Sequence, residues 1–234
     1  MTDKAKLQIA IDGPVAAGKT TVARKTAQRL GVLYLDTGAM YRALASFALL
    51  TGIDVDNGAA LARLMQIAPI EVVLDEKAQL GFRISIGGRE LDEAALLNHD
   101  VTAIVSAVSA HAEVRSEMVA AQQRIAQKGP VVMAGRDIGT VVLPEAPVKI
   151  YLTASSQARV ARRRAQLEAA GADVDAHRLA QEIEERDRLD KTRAVSPLAP
   201  ARDAHVIDSS DINADGVVDE ICAIVAAVSP ELSS

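Results

Sequence analysis

Five short apolar runs punctuate the chain: Leu7–Asp12, Leu33–Asp36, Pro130–Ala134, Val148–Thr153 and His205–Asp208. Each ends on polar or turn-forming residues, and each predicts a strand buried on both faces. The stretches between them carry helical spacing, as in Val22, Ala23, Ala27 and Leu30 after Thr20. Strand and helix in alternation predict an α/β fold, a parallel sheet covered by helices on both faces, with ligands at the carboxyl ends of its strands. Polar motifs fall where those ends are expected: Asp12-Gly13, Asp36-Thr37-Gly38, Gly135-Arg136-Asp137 and Asp208-Ser209-Ser210. They are expected to converge along one rim.

Two segments break the rhythm. Between Gly52 and Asp100 the period shortens to two in Glu71–Leu74 and Phe82–Ile86, with Gly87-Gly88 before Arg89-Glu90-Leu91. That pattern predicts an antiparallel meander or hairpin, and its length predicts an inserted lobe that helps cover a substrate. Between Ala154 and Ala201 the chain is dense in charge and ends in Ser196-Pro197 and Ala199-Pro200, which predicts two charged helices forming a mobile lid. Val101–Ile125 reads as helices with an apolar stripe of Val101, Ile104, Val105 and Val108, then Val114, Met118, Ala121 and Ile125. Ser106 and Arg115 lie off that stripe, and spacing alone makes both solvated side chains.

At 234 residues the chain can bury about 70% of its unfolded surface without covalent staples. Its one cysteine, Cys222, sits in an apolar helical stretch as a small buried hydrophobe and excludes an intramolecular disulfide. Met1–Lys6 is short and polar and the next apolar run is brief, so neither a signal peptide nor a membrane span is expected and a cytoplasmic location follows. A formal charge of −5 and only five aromatic residues argue against a nucleic-acid polymer as partner. Arginines nevertheless cluster, Arg159 with Arg162, Arg163 and Arg164, then Arg186, Arg188 and Arg193, which predicts local anion sites. His99, His111, His177 and His205 are scattered without metal-ligand spacing, and no Gly-x-Ser-x-Gly elbow occurs.

Gly13-Pro14-Val15-Ala16-Ala17-Gly18-Lys19-Thr20 carries the most specific chemistry, because this Gly-x4-Gly-Lys-Thr spacing follows a predicted strand and opens a predicted helix. Gly13 and Gly18 let successive backbone N–H groups turn toward one anion, and the helix adds the positive end of its dipole. Lys19 reaches β- and γ-phosphates, and Thr20 offers a hydroxyl to a magnesium ion bridging the same oxygens. Arg42, one turn into the helix after Asp36, suits a phosphate through its two-pronged guanidinium, although a surface arginine fits the same position. Arg136 and Asp137, bracketed by Gly135 and Gly139, are either aimed at a ligand or paired within a turn. Arg186, Asp190 and Arg193 form one stripe on a continuous helix; with Glu182–Arg186 and Glu184–Arg188 they read equally as an exposed charge ladder or as the face of a lid that closes over phosphates.

The ordered set of the phosphate loop, Asp36-Thr37-Gly38-Ala39-Met40-Tyr41-Arg42, Ser106 with Arg115, Gly135-Arg136-Asp137-Ile138-Gly139-Thr140 and Arg186 to Arg193 resembles the bacterial cytidylate kinases from about Leu7 to Val228. The resemblance implies a P-loop fold with a five-stranded parallel sheet of order 2-3-1-4-5, a core of residues 1–38, 112–153 and 202–234, a nucleoside-monophosphate lobe at 39–111 and a lid at 154–201. It implies transfer of the ATP γ-phosphoryl group to CMP or dCMP with Mg2+, by a monomer. Gly13, Pro14, Val15, Ala16, Ala17, Gly18, Lys19, Thr20 and Thr21 are then the ATP loop, with Thr20 toward the metal. Thr37, Ser106, Arg115 and Asp137 surround the cytosine base. Arg42 and Arg136 hold the acceptor phosphate, and Asp190 with Arg186 contacts the ribose. Lys19, Arg136, Arg186 and Arg193 neutralise the transferring group. Two positions depart from many relatives: Val15 stands in place of Ser and loses a side-chain donor, while Thr37 in place of Ser keeps its hydroxyl. Two other functions share the loop. An alcohol-phosphorylating kinase needs a carboxylate base, for which Asp36 is the candidate, and a nucleotide switch needs no acceptor site.

Overall fold

The computed structural model describes residues 7–228 except 76, 79, 170 and 194. Five strands, β1 (Gln8–Asp12), β2 (Leu33–Asp36), β6 (Val131–Gly135), β7 (Val148–Thr153) and β8 (His205–Asp208), form one sheet of order β2-β6-β1-β7-β8. Counting only these strands, that is 2-3-1-4-5. β1 pairs parallel with β7 and β7 with β8, so Asp12 stands beside Tyr151 and Thr153 beside Asp208. The chain divides into two compact units, Leu33–Val131 and the remainder.

In the larger unit β1, β6 and β7 are buried along nearly their whole length, the signature of strands covered on both sides. Ile9, Ile11, Val132, Met133, Val148 and Leu152 are fully enclosed. Helix α1 (Lys19–Leu30) packs Val22, Ala23 and Ala27 inward and lies against α9 (Ala214–Val228), which presents Val217, Val218, Ile221 and Val225. Cys222 is only half-buried, because the stripe that faces inward is set by its neighbours Val218, Ile221 and Val225.

The segment from Ala154 to Ala201 forms α7 (Ser156–Ala169) and α8 (Ala176–Thr192), as the charge pattern predicts. Asp175 caps α8 by accepting N–H bonds from His177 and Arg178, which pulls its carboxyl below the ordinary range. α8 ends one residue before Arg193, whose backbone is extended (φ −64, ψ 143), so Arg193 does not continue the helical stripe. The chain folds back there, and Leu198 donates its N–H to the carbonyl of Asp190, satisfying a helix-end acceptor. Arg188 pairs with Glu185 rather than the spacing partner Glu184, and Arg178 pairs with Glu182.

The Leu33–Val131 unit contains α2 (Thr37–Thr51), α3 (Gly58–Ile67), α4 (Glu93–Leu97), α5 (His99–Ala110) and α6 (Ala112–Ala126) around a three-stranded antiparallel sheet. β3 (Ile70–Leu74), β4 (Phe82–Ile86) and β5 (Arg89–Glu90) make the expected meander, with Val72 opposite Ile84 and Ile86 opposite Arg89. The β4–β5 turn holds Gly87 at φ 57 and Gly88 at φ 78, the left-handed pair that a tight two-residue hairpin demands. Phe82, Ile84 and Ile86 point into a core with Met40, Leu44 and Leu61. α3 and α4 are additions to the hairpin expected from sequence. Asn57 caps α3 through Ala60, and Leu61, Ala62, Leu64 and Met65 give it a buried face. Among the described residues, no helix is long and apolar enough to cross a membrane.

Candidate active site

The loop between β1 and α1 is held in a conformation that its sequence makes possible. A side chain at Gly13 would place Cβ 2.0 Å from the carbonyl oxygen of Leu152, so only glycine lets β1 turn this close to β7. Ala16 adopts φ 59, a left-handed geometry that costs an alanine on the order of 1 kcal/mol, and local strain of this kind gathers at ligand sites. Gly18, also left-handed, opens α1 without any side-chain cap, leaving the first-turn N–H groups to other acceptors. Lys19 is buried and its Nζ donates to the carbonyl of Pro14 at 2.7 Å, which folds the ammonium over the loop. Thr20 and Thr21 are exposed at the helix start.

The two charged helices reach this loop. Asp187 of α8 is buried; its Oδ1 accepts the N–H of Val15 at 3.2 Å while its Oδ2 accepts from Arg159 of α7. Arg159 also donates to the carbonyl of Val15 at 3.1 Å, so one ion pair holds both backbone polar groups of Val15. Arg162 bonds the hydroxyl and carbonyl of Ser209, and Ser209 Oγ lies 3.2 Å from the carbonyl of Ala17. The clustering of arginines predicts an anion site at Arg159, which instead pairs with a carboxylate, Asp187; that carboxylate escapes a reading by charge spacing, because such a reading favours the stripe 186–190–193. A signal exists nonetheless: Leu179, Ile183 and Asp187 are the buried residues of α8 at four-residue intervals, so the carboxylate occupies a core-facing position.

Arg136, half-buried at the end of β6, donates Nε to Asp190 Oδ2 at 2.7 Å, and Asp190 Oδ1 lies 3.4 Å from an Arg193 amine. Arg193 Nε bonds the carbonyl of Ser196. The structure therefore brings Arg136, Asp190 and Arg193 together, while Arg186 is exposed on α8. Asp137 is buried and opens a single π-helical turn, Ile138–Val142, marked by Val142 N–H to the Asp137 carbonyl, five residues apart.

Asp12 sits beneath this turn. It is 3% exposed and accepts the N–H groups of Ile138 at 2.8 Å and Gly139 at 2.7 Å. Burial pushes its carboxyl up to about 6 against the pull of the two N–H groups; Asp137 adds repulsion and Lys19 attraction, and Tyr151 of β7 also feels its charge. Tyr151 in turn is raised by burial first, then by Asp187 and Asp12. An acid raised from 3.8 to about 6 on folding binds its proton more tightly when folded, so its contribution to stability is full below pH 3.8 and is lost as pH rises through 6. The stability of the protein relative to an Asp12→Asn variant is expected to fall by up to about 3 kcal/mol between pH 4 and 7.5. Urea unfolding of both proteins across that range measures it, and a flat difference would refute the titration.

The Leu33–Val131 unit carries the other expected site residues. Asp36 caps α2, its Oδ1 accepting the N–H of Gly38 at 2.9 Å, and Thr37 is buried at the first position of the helix. Arg42, further along α2, donates to Thr102 of α5 at 2.9 Å, and Ser106 is exposed one turn beyond Thr102. Arg115 of α6 corrects the sequence reading: it is buried, not solvated, with its guanidinium 5.8 Å from the centre of the Tyr41 ring and one amine 3.4 Å from the carbonyl of Ser109. The aromatic face of Tyr41 gives a cation somewhere to lie inside the unit, which helical spacing does not reveal. Thr37 and Arg42 thus lie on α2 and Arg115 against it through Tyr41, while Ser106 is an exposed residue of α5.

No cluster of three or more His, Cys, Asp or Glu capable of holding a metal occurs among the described residues. Thr20 brings a hydroxyl to the start of α1 beside the phosphate loop, which fits a magnesium ion that arrives with nucleotide phosphates and keeps most of its waters.

Similarity to known proteins agrees with this geometry. The family model for cytidylate kinase matches residues 9–227. A cytidylate kinase of Exiguobacterium sibiricum is 48% identical over 91% of this chain and 94% of its own length. One of Pelotomaculum thermopropionicum is 47% identical over 94% of this chain and 96% of its own. A solved structure of an uncharacterized protein from Eubacterium ventriosum aligns over 94% of this chain and 99% of its own, with TM-score 0.53 at 13% identity, a likeness of fold alone. With the phosphate loop, the arginine-bearing β6 turn and nearly the whole length matched, the chain belongs to the cytidylate kinase family of phosphotransferases.

Proposed function

We propose that the protein transfers the γ-phosphoryl group of ATP to CMP and dCMP, giving CDP or dCDP and ADP. The observation that carries this reading is the buried Lys19 folded over a strained Gly13–Thr20 loop, in a chain of the cytidylate kinase family. The attacking group is a phosphate oxygen, already mostly dianionic at neutral pH, so no general base is needed. The work of the site is to bring two anions into line and hold their charge, which suits arginines and leaves histidine without a role. Asp36, the base an alcohol acceptor would require, uses Oδ1 to cap α2.

Gly13 to Thr21 hold ATP, with Lys19 donating to the β- and γ-phosphates. Thr20 is the residue that would hold Mg2+, which when bound would supply positive charge to the donor phosphates. Arg42 and Arg136 hold the acceptor phosphate, and Arg186 and Arg193 add positive charge as residues 154–201 close as a lid. Residues 1–38, 112–153 and 202–234 act as the core and 39–111 as the CMP lobe. Thr37, Ser106, Arg115 and Asp137 read cytosine: a hydroxyl or carboxylate takes the exocyclic amine and the guanidinium donates to the ring acceptors, a pattern uracil partly reverses. The protein works as a cytoplasmic monomer on free nucleotides.

ADP release from ATP and Mg2+ with CMP, dCMP, UMP, AMP or shikimate as acceptor tests the reading. Turnover is expected to be strongest with CMP and dCMP; turnover only with another acceptor would overturn it. A finer test concerns Asp190. Its loss removes a partner of Arg136 for every substrate, but only CMP offers a 2′-hydroxyl to this carboxylate. Asp190→Ala is therefore expected to reduce kcat/KM for CMP about tenfold more than for dCMP. Equal losses would show that Asp190 does not read that hydroxyl.

A further inference from the structure

We infer that Asp12 is a positioning residue that sets the acceptor-binding turn, Arg136-Asp137, from the last residue before the phosphate loop. The inference rests on the proposed function, since it assigns to that turn the work of holding CMP.

The geometry is that of a tether. Asp12 closes β1 and its neighbour Gly13 begins the phosphate loop. Its two oxygens accept one N–H each from Ile138 and Gly139, the residues directly after Arg136 and Asp137. Ile138 and Gly139 open the π turn, where N–H groups have no carbonyl of the turn to bond, so a carboxylate from outside fixes where the turn begins. The turn packs directly on the carboxylate: a Cβ at Gly139 would stand in contact with it, 3.4 Å from Asp12 Oδ2 and 3.3 Å from the Lys149 stem. With both oxygens engaged, the turn can neither rotate nor slide along β1, and Arg136 leaves β6 in one direction.

The type of residue supports a role beyond packing. Asp12 is almost wholly buried and its carboxyl titrates near 6, so at neutral pH an ion is kept where a neutral group would be less costly. A neutral amide cannot do the same task. Asparagine has one acceptor oxygen, and its NH2 would meet the second N–H donor to donor, pushing Ile138 or Gly139 away. Groups held this way against their own solvation cluster where function needs them.

The experiment compares the full-length protein with Asp12→Asn, reading KM for CMP, kcat and the dissociation constant of ATP, with circular dichroism as the check on folding. The expected result is a rise of at least tenfold in KM for CMP and a fall in kcat, with ATP affinity changed less than threefold. Equal weakening of ATP and CMP would overturn the inference, because a carboxylate that merely props the phosphate loop would harm both; so would unchanged constants. Amide hydrogen exchange at Ile138 and Gly139 in the unaltered protein supplies an arm that needs no variant. Both protons are expected to exchange as slowly as those of β1, and exchange at loop rates would overturn the tether even if Asp12→Asn did not fold. Absence of CMP turnover in the unaltered protein would instead remove the proposed function, leaving the exchange result to judge the tether by itself.

Discussion

Lys19→Ala is expected to lower kcat by about a thousandfold or more while leaving the fold in place. The structural part of the expectation starts from the bond that Lys19 Nζ donates to the carbonyl of Pro14 in the same loop. Loss of such a bond costs roughly 1 kcal/mol, too little to unfold a domain. The catalytic part is larger because Lys19 is 8% exposed, so its charge acts where water screens it poorly. Removing one preorganised donor aimed at developing charge costs about 3–4 kcal/mol, and Lys19 combines a donor with a full positive charge. Coupled ADP release gives the rate and a thermal melt gives the fold. Undiminished turnover in the folded variant would refute the phosphate-loop assignment itself.

The parts of the molecule legible in the sequence are those whose physics is local. Val131–Gly135 is apolar or small throughout because both faces are covered, Val148–Thr153 is apolar at most of its positions for the same reason, and the Gly87-Gly88 hairpin announces itself by a turn that only such residues make easily. The loop Gly13–Thr20 is legible for the same reason, since its spacing is dictated by backbone geometry around an anion. Helix α3 was hidden by its surroundings: alternating patches on either side of the Gly81 turn draw attention to strands, while Leu61, Leu64 and Met65 give only a short helical face. The site was legible as motifs but not as partnerships. Charge spacing on α8 points to Arg186, Asp190 and Arg193, yet the helix stops at Thr192, Arg186 is exposed, and the buried carboxylate that grips the phosphate loop is Asp187. Arg115 shows the same limit in the other unit, because the buried guanidinium lies over the ring of Tyr41, distant in sequence. Long-range pairing decides these cases, and no period along the chain encodes it.

Arg136→Lys separates a binding role for Arg136 from a merely structural one. Arg136 and Asp190 are 19% and 17% exposed, a partly screened pair whose loss weakens the local structure without emptying a core. A lysine at 136 keeps the positive charge and can reach a neighbouring carboxylate, so if Arg136 served only to hold Asp190, the lysine variant would retain most activity and Arg136→Ala alone would be impaired. A phosphate in transfer asks for more. Its oxygens are met by two parallel N–H bonds from one planar group, and an ammonium offers a single point of charge on a flexible stem. Losing the second bond and the fixed orientation is expected to reduce kcat/KM for CMP about a hundredfold or more in Arg136→Lys, nearly as far as in Arg136→Ala, with ATP affinity little changed. Steady-state kinetics with CMP as the varied substrate, alongside thermal melts of both variants, measures the split. Activity in Arg136→Lys within a few fold of the unaltered protein would show that the fork is not what holds the acceptor, and would leave Arg136 as the partner that keeps Asp190 in place.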